Sequence, residues 1–161
     1  MNGCISEKSI EKVRTELNRL GYEGDIIESQ RTIKTVEDAA QAIGVEPGKI
    51  LKSLILLTED GPVLVLMSGV NKVDLKKVKE LLNAKKVKFA SPEYIRENFG
   101  YEVGGVPPLG YEQHPPTLLD RDLLKFDMVW AAAGSEFAYF PVPPRDLVVY
   151  TSAEVADISK H

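Results

Sequence analysis

The sequence of 161 residues predicts an α+β fold in which helices surround a mixed, barrel-like β-sheet. Candidate strands outnumber candidate helices and do not alternate regularly with them, which argues against a doubly wound nucleotide-binding fold. The apolar fraction of 43% and the charged fraction of 27% are those of an ordinary globular protein. We therefore expect one domain over residues 1–161, with an N-terminal helix at 1–21 and a core at 22–161.

Four segments have apolar residues at helical spacing, together with start or stop signals of a helix. The predicted helices cover residues 6–20, 35–43, 74–82 and 92–99. Thr35 and Asp38 are typical of a capping box, and Ser91 followed by Pro92 is a typical helix start. In the third helix, four side chains are expected to face inward: Leu75, Val78, Leu81 and Leu82. A last short helix or turn is expected to begin at Pro144.

Seven further segments are predicted to be strands, because they are short, apolar and bounded by turn residues. They cover residues 25–29, 50–58, 63–68, 87–90, 117–119, 128–133 and 137–142. The second and third of these flank the turn residues 59–62, and the pair is therefore predicted to form a β-hairpin.

Lys52 is the single charged residue in the apolar run 50–57. Alternation along a strand places apolar neighbours on both of its faces, so that both faces look buried. A buried ammonium group is costly unless an anion or several oxygen atoms surround it, and lysine is a poor strand former. The position predicts a functional role for Lys52. The alternative is a side chain that extends to solvent from the end of an edge strand.

The segment 100–110 combines glycines with prolines: Gly104, Gly105, Pro107, Pro108 and Gly110. Adjacent glycines allow torsions closed to other residues and leave room for a carbonyl group against the main chain. The prolines fix the backbone beside them. Such a loop presents backbone N–H groups at a defined place, which suits the binding of a carbonyl or phosphate oxygen. The alternative is an ordinary surface connection.

The net charge of −4 is unevenly distributed. Between residues 72 and 88, seven lysines stand against Asp74 and Glu80, which leaves a local charge of +5. A polyanion responds to the local field rather than to the total charge, so this segment is a candidate nucleic-acid contact. Lys72, Lys76 and Lys79 are expected to share one helical face. The alternative is a solvated helix surface.

Cysteine and histidine are scarce, with one cysteine and two histidines in the chain. An internal disulfide is therefore excluded, and a zinc site has too few ligands. No run of 18 apolar residues is present, and the N-terminus lacks the apolar stretch of a signal peptide. We expect a cytoplasmic protein without a metal or cofactor.

Three elements occur in a specific order: the strand that carries Lys52, the loop 100–110, and the segment 129–135 with Gly134 and Ser135. In this order and at these separations, the chain resembles the YbaK/prolyl-tRNA synthetase-associated editing domain family over residues 35–158. The resemblance implies a free-standing deacylase that hydrolyses tRNA esters of a wrongly attached small amino acid. It also implies the barrel-like α+β fold. The expected partners are the acceptor end of a mischarged tRNA and, as a further candidate, a synthetase, with no membrane or DNA.

The resemblance and the chemistry of ester hydrolysis imply three groups of site residues. The expected catalytic residues are Lys52, Gly104 and Gly105, the substrate-binding residues are Pro108, Gly134 and Ser135, and the tRNA-binding residues are Lys72, Lys76 and Lys79. Backbone N–H groups would stabilise the oxyanion while Lys52 holds a phosphate or carbonyl group. Some relatives have a histidine where this chain has Ser135, so alanine, serine, cysteine and proline esters all stay open.

Two other functions are compatible with the same residues. A non-catalytic module of this fold would bind a tRNA end or a nucleotide without hydrolysis. A regulator would bind a small metabolite in the same pocket and be stabilised by it without affinity for tRNA.

Overall fold

The computed structural model describes residues 2–29, 33 and 35–161. Within these residues, the helices are α1 (Asn2–Leu20), α2 (Val36–Ile43), α3 (Leu75–Leu82), α4 (Pro92–Phe99) and α5 (Pro144–Thr151). The strands are β1 (Ile27–Glu28), β2 (Leu51–Thr58), β3 (Gly61–Ser68), β4 (Val87–Phe89), β5 (Thr117–Asp120), β6 (Val129–Ala132), β7 (Ala138–Val142) and β8 (Glu154–Ala156). Short 3₁₀ helices cover Pro47–Lys49 and Arg121–Lys125. Among the described residues, no helix is both long and apolar enough to span a membrane.

β2 and β3 form the predicted antiparallel hairpin at the centre of a five-stranded sheet with the order β4-β2-β3-β5-β8. β5 pairs in parallel with β3, and β8 pairs in parallel with β5. A second, antiparallel sheet of three strands has the order β1-β7-β6. The architecture is therefore mixed α+β, as predicted.

The predicted barrel-like closure is wrong, because both sheets of the described chain are open. In that part of the chain, a single bridge between Ile50 and Trp130 links the two sheets at the start of β2. On the same edge of β2, the short strand β4 pairs with residues 56–58. Strand pairing is thus interrupted between the two points, whereas a barrel requires a continuous ladder.

The five-stranded sheet is covered on both faces. One face contributes to the main apolar core together with α1, α4, α5 and the second sheet, and the other face packs against α3. Of the apolar residues that recur at helical spacing in α1, Ile10, Val13 and Leu17 are buried, and Leu20 is partly buried against the same core. In α3, Val78 is buried, but Leu81 is 40% exposed, so its predicted inward position is wrong. Leu81 lies at the edge of the apolar face that Leu75, Val78 and Leu82 share.

The predicted helix starts are confirmed at two positions. The Thr35 hydroxyl accepts a hydrogen bond from the Asp38 N–H (3.0 Å), and the Ser91 hydroxyl accepts one from the Tyr94 N–H (3.0 Å). α3 begins one residue later than predicted, because Asp74 is its N-cap and accepts hydrogen bonds from the first helical N–H groups. Lys72 therefore precedes the helix and does not share a helical face with Lys76, contrary to the prediction.

Candidate active site

A cavity of about 280 Å³ lies at the open edge of β2, where the two sheets fail to join. Its wall is largely apolar and includes Ile33, Val36, Ile50, Ala132 and Tyr139. The polar side chains in its lining are Lys52 and Ser53 of β2, Thr35 and Tyr139, and the glycine-containing loop contributes Gly104. The interruption of the predicted barrel is thus the feature that creates the cavity.

Lys52 extends from β2 into this cavity and is half-buried. Burial lowers the pKa of Lys52 below its ordinary value, and the positive charge of Lys72 lowers it further. Both effects disfavour the charged ammonium form of Lys52. An anion or an oxygen-rich ligand bound beside it would stabilise that form.

Ser53 contributes a second polar group to the same cavity. Its hydroxyl is buried and has no hydrogen-bond partner among the described residues. The carbonyl of Ile55 accepts a hydrogen bond from the Ala90 N–H (2.9 Å), on the side of β2 that faces β4. Because alternate residues of a strand direct their backbone groups to the same edge, the N–H and C=O of Ser53 point toward the open edge.

The two adjacent glycines of the loop have different environments. Gly104 lines the cavity with a φ of 97°, and its N–H has no hydrogen-bond partner in the part of the chain that the structure describes. Gly105 does not have a positive φ, and its N–H donates to the carbonyl of Glu102 (2.9 Å). The expected special torsion therefore belongs to Gly104 alone, and the N–H of Gly105 is already occupied.

The space beside Gly105 is filled by the main chain of Ser135 rather than left open for a carbonyl group. A Cβ atom at Gly105 would lie 2.8 Å from the Cα and N atoms of Ser135. Ser135 is buried, and its hydroxyl accepts a hydrogen bond from the Phe137 N–H (3.1 Å). Gly134 has a φ of 91°, and a Cβ there would lie 2.6 Å from the Ser9 carbonyl oxygen of α1.

Gly134, Ser135 and the buried Pro108 do not line the cavity that contains Lys52. Instead, Ser135 packs against Gly105 of the loop, and Gly134 packs against the backbone of Ser9 in α1. The structure thus brings Lys52 and Gly104 to one cavity, and it separates them from the three residues predicted to bind substrate.

The lysines predicted to bind tRNA are divided between two neighbouring surfaces. Lys72 and Lys76 line a second cavity of about 460 Å³, which also includes Lys52. Lys79 lines the next groove, together with Lys76 and three further lysines: Lys85, Lys86 and Lys88. The basic segment is therefore continuous with the cavity at β2, although its first member does not belong to the helix.

Of the residues that line the cavity, only Lys52 and Gly104 were predicted as site residues, and those missed include Ser53, Ala132 and Tyr139. Ser53 has a recognisable signal, because it is the other polar residue of the run 50–57 and follows Lys52 directly. Burial, and then the charge of Glu136, raise the pKa of Tyr139 to about 12, so its hydroxyl stays neutral at physiological pH. No group of three or more metal-ligating side chains occurs among the described residues.

Comparison with known proteins places this chain in a family. A model described as "Aminoacyl-tRNA editing domain" matches residues 30–150. A crystal structure of a "putative trans-editing enzyme for prolyl tRNA synthetase" is similar with a TM-score of 0.90 and 39% identity, covering 95% of this chain and 98% of that one.

Two curated relatives are similar over most of their length. The "uncharacterized protein YwhH" of Bacillus subtilis is 34% identical over 148 residues, which are 91% of this chain and 94% of YwhH. The "putative Cys-tRNA(Pro)/Cys-tRNA(Cys) deacylase EbsC" of Enterococcus faecalis is 27% identical over 126 residues, 78% of this chain and 77% of EbsC. The resemblance predicted from the motifs around Lys52 and the loop 100–110 is confirmed, and the chain belongs to the aminoacyl-tRNA editing domain family.

Proposed function

We propose that this protein is a trans-acting deacylase, which hydrolyses the ester bond of tRNAs that carry a wrongly attached small amino acid. The observation that carries the proposal is the apolar cavity at the open edge of β2, which is lined by the half-buried Lys52 and by Ser53, whose buried hydroxyl has no partner among the described residues. Its volume of about 280 Å³ lies just below the usual range of small-molecule pockets, roughly 300–1,000 Å³, and suits a small aminoacyl group.

In this proposal, the aminoacyl ester lies with its carbonyl oxygen near the N–H of Gly104 and the N–H of Ser53. Both residues line the cavity, and a backbone N–H fixed in place can stabilise the oxyanion as negative charge develops. Lys52 adds a positive charge in a half-buried position, where electrostatic interactions are stronger than in bulk water.

An aminoacyl ester is already activated, so the enzyme needs no strong nucleophile of its own. It has to position a water molecule and stabilise the oxyanion that forms. Such an activity has a clear use, because a synthetase pocket discriminates one methylene group by only about 1–3 kcal/mol. A second site that removes the wrong product is then required.

The relatives narrow the partners without fixing the amino acid. EbsC is named for deacylation of cysteinyl-tRNA, and the similar crystal structure is described as acting in trans for prolyl-tRNA synthetase. We therefore propose the acceptor end of a mischarged proline tRNA as substrate and the corresponding synthetase as partner. Alanine, serine and cysteine are the candidate aminoacyl groups.

The test is a deacylation assay on proline tRNA charged with alanine, serine, cysteine or, as the correctly charged control, proline. The protein should release at least one of the three wrong amino acids much faster than the spontaneous rate and should spare the correct product. Binding of the charged tRNAs without release of any amino acid would instead identify a non-catalytic module and overturn the proposal.

A further inference from the structure

The cavity at β2 adjoins the second cavity, of about 460 Å³, at a boundary formed by Lys52, Leu54 and Phe89, which line both. Four lysines surround this second cavity, which we call the lysine cavity: Lys52, Lys72, Lys76 and Lys160. Lys160 lies outside the basic segment 72–88 and was not recognised from the sequence. Its presence shows that distant parts of the chain contribute charge to one place.

The charges of the lysine cavity are not neutralised by ion pairs. None of its four lysines forms one among the described residues, whereas the neighbouring Lys77 is paired with Asp157 (3.2 Å). One carboxylate, Asp74, also lines the cavity, but it accepts hydrogen bonds from the N–H groups of Lys76 and Lys77. Like charges repel one another, so an anion bound here would relieve the repulsion.

The chain near its C-terminus is fixed beside the lysine cavity. Ser159 forms an antiparallel bridge with Val73, and the Lys160 N–H donates a hydrogen bond to the Lys72 carbonyl (2.9 Å). On the other side of this bridge, the Ile158 carbonyl accepts one from the Asp74 N–H (2.7 Å). The backbone of Lys160 is therefore held next to that of Lys72.

A buried carboxylate and a lysine form hydrogen bonds to residues 158 and 159, next to Lys160. Asp120 is 1% exposed and accepts hydrogen bonds from the Ile158 N–H (3.1 Å) and from the Ser159 hydroxyl. Lys77 donates to the Ser159 carbonyl (2.8 Å) as well as to Asp157. A segment anchored by this many buried or partly buried hydrogen bonds presents Lys160 from a defined position.

We propose that the lysine cavity binds the 5′-phosphate of the terminal nucleotide of the substrate, with Lys160 as one of its phosphate ligands and Phe89 as the surface on which the base stacks. This inference rests on the proposed function, which puts the aminoacyl ester in the cavity at β2. Only the ribose separates that ester from the 5′-phosphate of the same nucleotide. The phosphate is therefore expected to lie in the lysine cavity, on the other side of the boundary formed at Lys52.

Phe89 has the exposure that base stacking requires. Its side chain is 54% exposed, although it is large and apolar, and it lies on the boundary between the two cavities. Aromatic rings bind bases by stacking without selecting a sequence, and a positively charged groove follows the backbone of the strand. The groove with Lys79 continues from the lysine cavity and suits the preceding phosphates.

The experiment compares two stable probes, 3′-alanylamido-3′-deoxyadenosine with and without a 5′-phosphate, by calorimetric titration. The measured quantity is the phosphate gain, which is the ratio of the two dissociation constants. The phosphate should strengthen binding to the wild-type protein by about tenfold. In Lys160→Ala, this ratio should be smaller by a factor of about three to five. Lys160→Arg should retain most of it, because the charge is kept.

Two further variants separate the phosphate contact from other effects. Lys8→Ala removes an exposed lysine of α1 that lies outside the lysine cavity, and it should leave the phosphate gain unchanged. Phe89→Ala should weaken binding of both probes and leave their ratio unchanged. Lys160 is exposed, so its variants should melt like the wild-type protein.

An equal phosphate gain in the wild-type protein and Lys160→Ala would overturn the inference, as would the absence of any gain in the wild-type protein. Failure of the proposed function has a different signature. In that case, the protein releases no amino acid from any charged tRNA, while the phosphate gain and its dependence on Lys160 persist.

Discussion

Alanine substitution should affect the two adjacent glycines differently. At Gly105 it should mainly lower stability, and at Gly104 it should mainly lower activity. At Gly105, an added Cβ would lie 2.8 Å from the Cα and N atoms of Ser135 and 2.9 Å from its carbonyl carbon. These are backbone atoms, which cannot rotate away as the end of a side chain can. At Gly104, the nearest atoms to an added Cβ belong to Glu136 at 3.7 Å, which is an ordinary contact.

The sizes of the two effects follow from these distances. Overpacking against a fixed neighbour costs about 1–3 kcal/mol, and three backbone contacts below 3.0 Å put Gly105→Ala near the upper limit. In a domain of this size, a loss of about 3 kcal/mol lowers the melting temperature by roughly 6–12 °C. Gly104→Ala has space but a φ of 97°, and left-handed backbone costs a non-glycine residue about 1–2 kcal/mol.

The measurement is a melting curve and a single-turnover deacylation rate for each variant. Gly105→Ala should be the less stable protein, while Gly104→Ala should lose more activity relative to its loss of stability, because alanine disfavours the φ of 97° that orients the backbone of Gly104 at the cavity. Should Gly105→Ala melt like the wild-type protein, the close packing of this loop on Ser135 would be refuted. Wild-type activity of Gly104→Ala would show that catalysis does not depend on the left-handed backbone of Gly104.

Three further perturbations test other parts of the structure. Replacing Lys76 and Lys79 with Glu should weaken tRNA binding and reduce its salt dependence, while hydrolysis of a minimal aminoacyl-nucleoside stays near the wild-type rate; equal effects on both substrates would contradict the tRNA contact. Burial lowers the pKa of His114 below its ordinary value of 6.5. As pH falls, this side chain is therefore protonated in the unfolded chain before it is protonated in the folded protein, which favours unfolding. The melting temperature should therefore fall as pH decreases below about 6.5, and it should fall less in His114→Gln. The same dependence of melting temperature on pH in both proteins would exclude a contribution of His114. Gly134→Ala would bring a Cβ within 2.6 Å of the Ser9 carbonyl oxygen and should cost about 2 kcal/mol or more in chemical unfolding. An unchanged midpoint would contradict that contact.

Local features of the fold could be predicted from the sequence because they depend on neighbouring residues. The caps formed by Thr35 and Ser91 each need a hydroxyl group and an N–H three residues later, and both are present as predicted. The β2–β3 hairpin likewise follows from its turn residues. Closure of the sheet depends instead on pairing between distant strands, which apolar patterns do not specify, and the barrel-like prediction failed for that reason.

The candidate site shows the same division between local and distant information. Lys52 could be singled out because a charge within an apolar strand is locally unusual. Adjacent glycines cannot be told apart by sequence, since only the contact with Ser135 distinguishes Gly105 from Gly104. Lys160 joins Lys72 through a backbone bridge across 88 positions of the chain, and no local pattern indicates such a contact.

The most direct test of the proposed deacylase is the single-turnover rate of Lys52→Ala beside that of its matched control, Lys49→Ala. Lys49 precedes β2 and lies outside the cavity at β2 and the lysine cavity. Because the pKa of Lys52 is lowered in the folded protein, its charge opposes folding at neutral pH, and Lys52→Ala should melt at or above the wild-type temperature. The proposal predicts a loss in rate of about 10²-fold or more for Lys52→Ala and no loss for Lys49→Ala. Equal rates in two well-folded variants would contradict the role of Lys52 and, with it, the proposed active site.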